Sequence, residues 1–370
     1  MSQDGLYVIL VSVHGLIRGH DMELGRDADT GGQIKYVVEL ARALAEHKDV
    51  ARVDLLTRQV IDSKVADDYA QPLEKLSDGA YLIRLPCGPR RYLRKEKLWP
   101  YLNNFADQAL QHIRQVGRVP DVIHSHYADA GYVGSRLASL LGVPLVYTGH
   151  SLGRVKNQRL IEQGTKPEVI ESQYNISRRI EAEEVALDTA SVVIASTRQE
   201  VEEQYSLYDN YQPRRMTVIP PGIDLDRFYP HRRGRGKPDI YYDLGRFLRY
   251  PNRPIILALS RPDVRKNIST LVRAYGQSQL LRGSANLIIV AGNRDDIQSM
   301  EKGPRGVLTE LLQLIDYYDL YGAVAYPKHH EANDVPQLFR LAAQTRGVFV
   351  NPALTEPFGL TLIEAAATGL

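Results

Sequence analysis

The sequence has almost no cysteine: Cys87 is the only one in 370 residues. A disulfide framework is excluded, and so is a metal site built on several thiolates. A reducing, cytoplasmic compartment is therefore expected. The opening Met-Ser-Gln-Asp-Gly lacks the basic-then-apolar pattern of a secretory leader. No apolar run approaches the length of a bilayer span, so no membrane is expected. A large excess of charge of either sign is lacking as well. A net charge of +2 makes no case for nucleic acid, although tyrosines number 22. Neither a Walker A loop nor a GxGxxG fingerprint occurs, so ATP and NAD readings lose support. What is present, 44% hydrophobic and 24% charged residues, suits a globular chain large enough for two domains.

Short β-branched apolar runs recur between helical patterns. They are Leu6 to Val13, Val53 to Leu56, Val122 to His124, Leu145 to Tyr147, Val192 to Ile194 and Met216 to Ile219. After a gap follow Ile255 to Leu259, Leu287 to Val290, Val324 to Tyr326 and Val348 to Val350. Apolar strands separated by helices predict an α/β chain with parallel sheets covered on both faces. The strongest helix signal is Ile34 to Glu46, with Ile34, Val37, Val38, Ala41, Leu44 and Ala45 on one face. The basic, glycine-containing run from His231 to Pro238 and the segment to Arg253 read as a linker. The expected domains are 1–230 and 254–370, joined by 231–253. Two such domains meeting across a cleft would place a ligand at the carboxyl ends of their strands.

Four constellations bear on chemistry. In the first, Asp27-Ala-Asp-Thr-Gly-Gly-Gln33 separates a strand from the strong helix. Paired glycines at a helix N-terminus make an anion site from backbone N–H groups, or merely shape a turn. The second is Thr148 to Lys156, where His150 follows a strand directly. The third, Arg178-Arg-Ile-Glu-Ala-Glu-Glu184, taken alone reads as an exposed helix face of alternating charge. The fourth combines Arg261 and Lys266, cations suited to a diphosphate, with Glu356 and Glu364 in the same domain. Those two carboxylates flank a strand-to-helix turn containing Gly359, with Glu364 about two turns into the helix. A phosphate is attracted to such a helix start. Adjacent His329 and His330 suit no common metal-ligand spacing, so no metal is expected.

From about Leu6 to Leu370 these motifs resemble the sucrose-phosphate synthases, retaining GT-B glycosyltransferases related to sucrose synthase. The run Gly149-His-Ser-Leu-Gly153 with Lys156 points to the sucrose-phosphate branch; the Glu-x7-Glu pair occurs across many retaining transferases. The resemblance implies two Rossmann-like domains facing across a cleft. It also implies glucose transfer from UDP-glucose to fructose 6-phosphate, with no cofactor required. It places Arg261, Lys266, Glu356, Phe358, Gly359, Leu360, Thr361 and Glu364 on the nucleotide sugar. His150, Glu356 and Gly32 fall at the reacting centre. Gly31, Gln33, Ser151, Lys156, Arg178 and Arg179 fall on the acceptor sugar phosphate, with Lys95 and Tyr127 as further candidates. The alternatives are free fructose as acceptor, as in sucrose synthase, and sugar-nucleotide or sugar-phosphate binding without turnover. No residue reads uracil against adenine, so ADP-glucose stays open. A complete GT-B chain continues past the helix after Glu364, so the second domain is expected to be incomplete and the activity of this chain open.

Overall fold

The structure is a computed structural model that describes residues 5–23, 29–231, 236–354, 356 and 359–370. It divides into two compact units, Met1–Pro220 and Pro221–Leu370. The first carries an eight-stranded sheet of β1 (Leu6–Val11), β2 (Val50–Arg58), β3 (Leu73–Ser77), β4 (Ala80–Leu85), β5 (Val122–His126), β6 (Leu145–Thr148), β7 (Val192–Ala195) and β8 (Met216–Val218). Its spatial order is β3-β4-β2-β1-β5-β6-β7-β8. Every pairing is parallel except β3 with β4. The hairpin from Leu73 to Leu85 was absent from the sequence expectation. Its outer strand, Leu-Glu-Lys-Leu-Ser, is half polar as suits an edge. The signal that marks it is the turn Asp78-Gly79, with Gly79 at φ +80°.

The helices of this unit are α1 (Gly32–Ala45), α2 (Leu102–Val116), α3 (Ala128–Leu141), α4 (Gly153–Glu162), α5 (Pro167–Tyr174) and α6 (Ile176–Thr189). Strand β1 shows why the sheet needs cover on both sides. Val8 and Leu10 pack with Ile34, Val37, Val38 and Ala41 of α1. Tyr7, Ile9 and Val11 pack on the opposite face with Phe105 and Ala109 of α2 and Val133 of α3. Alternate residues of a strand point to opposite faces, so one continuous apolar run serves two helix layers. Each such fully buried aliphatic side chain contributes roughly 1.5–3 kcal/mol.

The second unit contains α7 (Asp239–Gly245), β9 (Ile255–Ser260), α8 (Ile268–Gln277), α9 (Gln279–Ser284), β10 (Asn286–Ala291), α10 (Lys302–Tyr317), β11 (Val324–Ala325), α11 (Asp334–Gln344), β12 (Val348–Phe349) and α12 (Leu360–Ala367). Its sheet is parallel throughout, in the order β11-β10-β9-β12. Ile256, Leu287 and Ile289 face α8 and α10, whereas Leu257, Ile288 and Val290 face α11 and α12.

The division falls at Pro220, earlier than the expected boundary at 230. Phe228, and Ile240 and Leu244 of α7, are buried in the second core against Phe339 and Leu257. The segment expected as a linker thus includes a helix of that unit, because its few apolar residues fall on one face and find a partner. Residues 232–235 of the basic run lie outside the described residues. No helix among the described residues is long and apolar enough to cross a membrane.

Candidate active site

In the first unit the candidate side chains gather where β1, β5 and β6 end. That is the carboxyl edge of a parallel sheet, where loops are free to carry chemistry. His126 is the last residue of β5, and His150 follows β6 by two residues. The Nδ1 atom of His126 lies 3.0 Å from Nε2 of His150. His150 adopts the left-handed region at φ +57°, and Tyr36 of α1 presents its ring edge-on at 5.2 Å. His124 lies two residues before His126 on the same strand face, with ring centroids 4.1 Å apart, and bonds Oγ1 of Thr148 at 2.8 Å. Burial holds the imidazoles of His124 and His150 down to about 3, and that of His126 well below its ordinary value.

Those depressed values carry a pH dependence with a definite sign. On unfolding, each histidine regains its ordinary affinity near 6.5, so the unfolded chain binds more protons between pH 6.5 and 3. Stability is therefore fully present above pH 6.5 and lost on acidification through that window. Urea unfolding at pH 7.5 and pH 5 reads it directly. A midpoint that does not fall at pH 5 would contradict neutral burial.

Residues at the entrance to α1 behave as follows. Gly31 stands just before the helix in extended backbone, and its carbonyl accepts from Ile34 N at 3.1 Å. Gln33 Nε2 donates to Ser12 Oγ at 3.2 Å and to the His126 carbonyl at 3.3 Å. A Cβ placed on Gly32 meets no atom within 4 Å. Gly32→Ala should therefore leave the melting temperature unchanged or higher, since alanine favours a helix by roughly 0.5–1 kcal/mol. It should still weaken binding of any ligand that approaches this backbone. Unaltered ligand affinity would remove Gly32 from the site.

A cationic pocket forms beside this cluster. Lys95, Tyr127, Lys156 and Arg179 line it, together with Glu96, Trp99, Asp129 and Tyr174. Tyr127 sits at φ +79°, a strained conformation for a bulky residue, held by its N–H donating to the Thr148 carbonyl at 2.8 Å. The Arg179 guanidinium stacks 4.5 Å above the Tyr127 ring. Beside Tyr127, His14 Nδ1 meets Asp129 Oδ2 at 2.8 Å, fixing that imidazole. Lys156 Nζ lies 3.5 Å from the Tyr174 ring centroid. Lys95 pairs with the buried Asp29, which also accepts its backbone N–H at 2.9 Å. Burial raises the Asp29 carboxyl, but Lys95 and His14 outweigh it and hold the group below the ordinary carboxylate range.

The charged helix of the third constellation splits in two. Arg179 and Glu183 are buried at 4% and 0% exposure, contrary to the solvated face expected from the charge pattern alone. Glu183 accepts from Arg179 Nε at 2.9 Å, from Gly153 N at 2.9 and 3.1 Å, and from the Tyr208 hydroxyl. Its carboxylate thereby serves the first N–H of α4 as well as the guanidinium. Arg179 Nη2 reaches the Ser151 carbonyl at 2.6 Å and Ser151 Oγ at 3.2 Å. Arg178 does not line the pocket: it is exposed, pairs with Glu181 at 3.0 Å and lies over Tyr132.

In the second unit, β9 ends at Ser260 and Arg261 follows, half-buried. The next turn is closed by Asp263, whose carboxylate accepts from Arg265 N at 2.9 Å. Two bonds join this loop to the segment after β12: Leu354 N to the Arg265 carbonyl at 2.9 Å, and Asn267 Nδ2 to the Pro352 carbonyl at 3.2 Å. Lys266 Nζ consequently meets Glu356 Oε2 at 2.5 Å, and Asn351 Nδ2 donates to the same oxygen at 3.1 Å. Gly359 takes φ +79° and opens α12, with Leu360 and Thr361 in its first turn. Glu364 is the fifth residue of that helix and 6% exposed. It stands about one turn inside rather than two, because the helix starts only at Leu360. Phe358 lies outside the described residues.

Sequence reasoning missed His126, Asp29, Glu183 and Asn351 as partners in these sites. The spacing His124-Ser-His126 at a strand end was the available signal for His126, since period two puts both rings on one face. For Glu183 it was the i, i+4 relation to Arg179.

Residues 30–227 match glycosyltransferase family 4, and residues 245–370 match the glycosyl transferases group 1. A probable sucrose-phosphate synthase 1 of Oryza sativa is 50% identical over 99% of this chain and 39% of its own length. The sucrose-phosphate synthase of Zea mays is also 50% identical, over 99% of this chain and 40% of its own. The chain thus spans about two-fifths of the length of these curated relatives. The solved sucrose-phosphate synthase of Thermosynechococcus elongatus is 28% identical with a TM-score of 0.73, over 98% of this chain and 79% of that one. The catalytic domain of starch synthase IV from Arabidopsis thaliana, 16% identical with a TM-score of 0.62, shares the fold over 98% of this chain and 81% of its own. The two Rossmann-like units are those of the GT-B fold. The chain belongs to glycosyltransferase family 4 and within it is a homologue of the sucrose-phosphate synthases.

Proposed function

We propose that the chain is the glycosyltransferase portion of a retaining enzyme that transfers glucose from UDP-glucose to fructose 6-phosphate. The bond between the anomeric carbon and the diphosphate oxygen breaks, and its electron pair leaves with UDP. A new bond forms from the same carbon to the fructose hydroxyl, so sucrose 6-phosphate, UDP and a proton result. The observation that carries this reading is the pocket lined by Lys95, Lys156, Arg179 and Tyr127 together with Glu96 and Asp129. Three cations suit a phosphate dianion, with arginine able to grip two oxygens at once. His150 donates a hydrogen bond to the transferred sugar. In the second unit, Arg261 and Lys266 neutralise the departing diphosphate, and Glu356 and Glu364 accept from sugar and ribose hydroxyls. The reading uses no cofactor beyond the sugar nucleotide.

The test is a matrix of UDP- or ADP-glucose against fructose 6-phosphate or fructose, scored by mass spectrometry of the product. The expected result is sucrose 6-phosphate, formed with UDP-glucose. A higher kcat/KM with free fructose would transfer the chain to the sucrose synthase type. Tight UDP binding in calorimetry with no turnover in any combination would make it a binding protein.

A further inference from the structure

The contact between His126 and His150 contains a question of proton placement. Their nitrogens are 3.0 Å apart, so one of them donates and the other accepts. The Nε2 atom of His126 is fully buried and has no hydrogen-bond partner among the described residues. Two arrangements remain. If His126 carries its proton on Nε2, a buried N–H donor is left orphaned. If it carries the proton on Nδ1, only an acceptor is left unmet, and that is the more tolerated deficit in folded proteins. His126 Nδ1 therefore donates to His150 Nε2, which leaves His150 protonated on Nδ1.

Among the described residues the surroundings add no competing partner. His124 is engaged with Thr148 Oγ1, and His14 is held by Asp129. Tyr36 faces both rings edge-on. Gln33 reaches the carbonyl of His126 rather than its ring. The ring of His150 makes no other hydrogen bond among the described residues.

We propose that His126 is a positioning residue that fixes the tautomer of His150, so that His150 offers an Nδ1–H donor to the transferred sugar. The ligand side of this statement rests on the glucosyltransferase reading above; the tautomer itself does not. The full 370-residue chain, labelled with 15N-histidine, is examined near pH 7.5 by long-range 1H–15N correlation. His150 is expected as the Nδ1–H tautomer, identified by the loss of its signal in His150→Asn. Its appearance as the Nε2–H tautomer would overturn the proposal whether or not the protein turns over substrate.

Two variants of His126 then separate positioning from bulk. His126→Asn keeps an N–H near the Nδ1 position, whereas His126→Phe keeps a ring and removes every donor. The expected outcome is near-native kcat in His126→Asn. In His126→Phe, kcat falls about tenfold to a hundredfold, as is usual when a supporting hydrogen bond is lost, with KM little changed and His150 shifted to a tautomer mixture. Equal kcat in both variants, or an unshifted His150 tautomer in His126→Phe, would refute the role. Absence of turnover in the parent chain, with the tautomer as stated, would count against the transferase reading alone.

Discussion

Replacement of Glu183 by alanine is expected to destabilise the first unit by about 3–5 kcal/mol, the range for removing one partner of a buried ion pair. The size follows from what is left behind. Arg179 is 4% exposed and would keep its charge with no carboxylate beside it. The Tyr208 hydroxyl and the Gly153 N–H would lose their acceptor in the same step. Urea unfolding followed by intrinsic fluorescence gives the change in free energy, and a shift under about 1 kcal/mol would show that the network is not coupled to folding. Glu183→Gln separates stability from function. The amide fills the same space and keeps one of the two accepting oxygens, so the fold should lose less than in Glu183→Ala. On the proposed reaction, Arg179, less firmly held toward Ser151 and Tyr127, should raise the KM for fructose 6-phosphate well above any change in the KM for UDP-glucose.

On the proposed reaction, Lys266→Ala is expected to lower kcat by about 10²–10³, the usual cost of removing one group that stabilises charge developing in the transition state. The ammonium lies 2.5 Å from Glu356, with side-chain exposures of 21% and 25%, so the pair is open to solvent and to a ligand. Its loss should cost the fold little, since partly exposed pairs contribute about 0–1 kcal/mol. The expected signature is a collapse of turnover with an almost unchanged melting temperature. Less than a threefold change in kcat/KM for UDP-glucose would remove Lys266 from the diphosphate. Lys266→Arg should recover part of the activity, because charge returns while the point geometry of the ammonium does not.

Much of the architecture could be read from the chain alone. Ten apolar runs were expected as strands and all ten fall on strands of the two parallel sheets. Helix α1 formed where its periodic face predicted. These features are local: a run of β-branched residues or a 3.6-residue period needs no knowledge of its partners. The edge hairpin at 73–85 was harder because its outer strand has a polar side, and α7 was hidden in a segment dominated by charge.

Site membership divides along the same physical line. The family resemblance nominated Lys95, Tyr127, Lys156 and Arg179, and the fold brings these four to one pocket. Only tertiary packing separated Arg179 from Arg178. Consecutive helix residues point about 100° apart, so one of the pair had to turn away once Ile176, Ala182 and Ala186 were buried. Arg179 and Glu183 share that inward face, whereas Arg178 and Glu181 are exposed. Lys266 and Glu356 are 90 residues apart and meet because β9 and β12 are neighbours in the second sheet. The chain by itself determined which chemistries were available. The choice of partners was made by burial, since a charge taken out of water must be answered by whatever the fold places within reach.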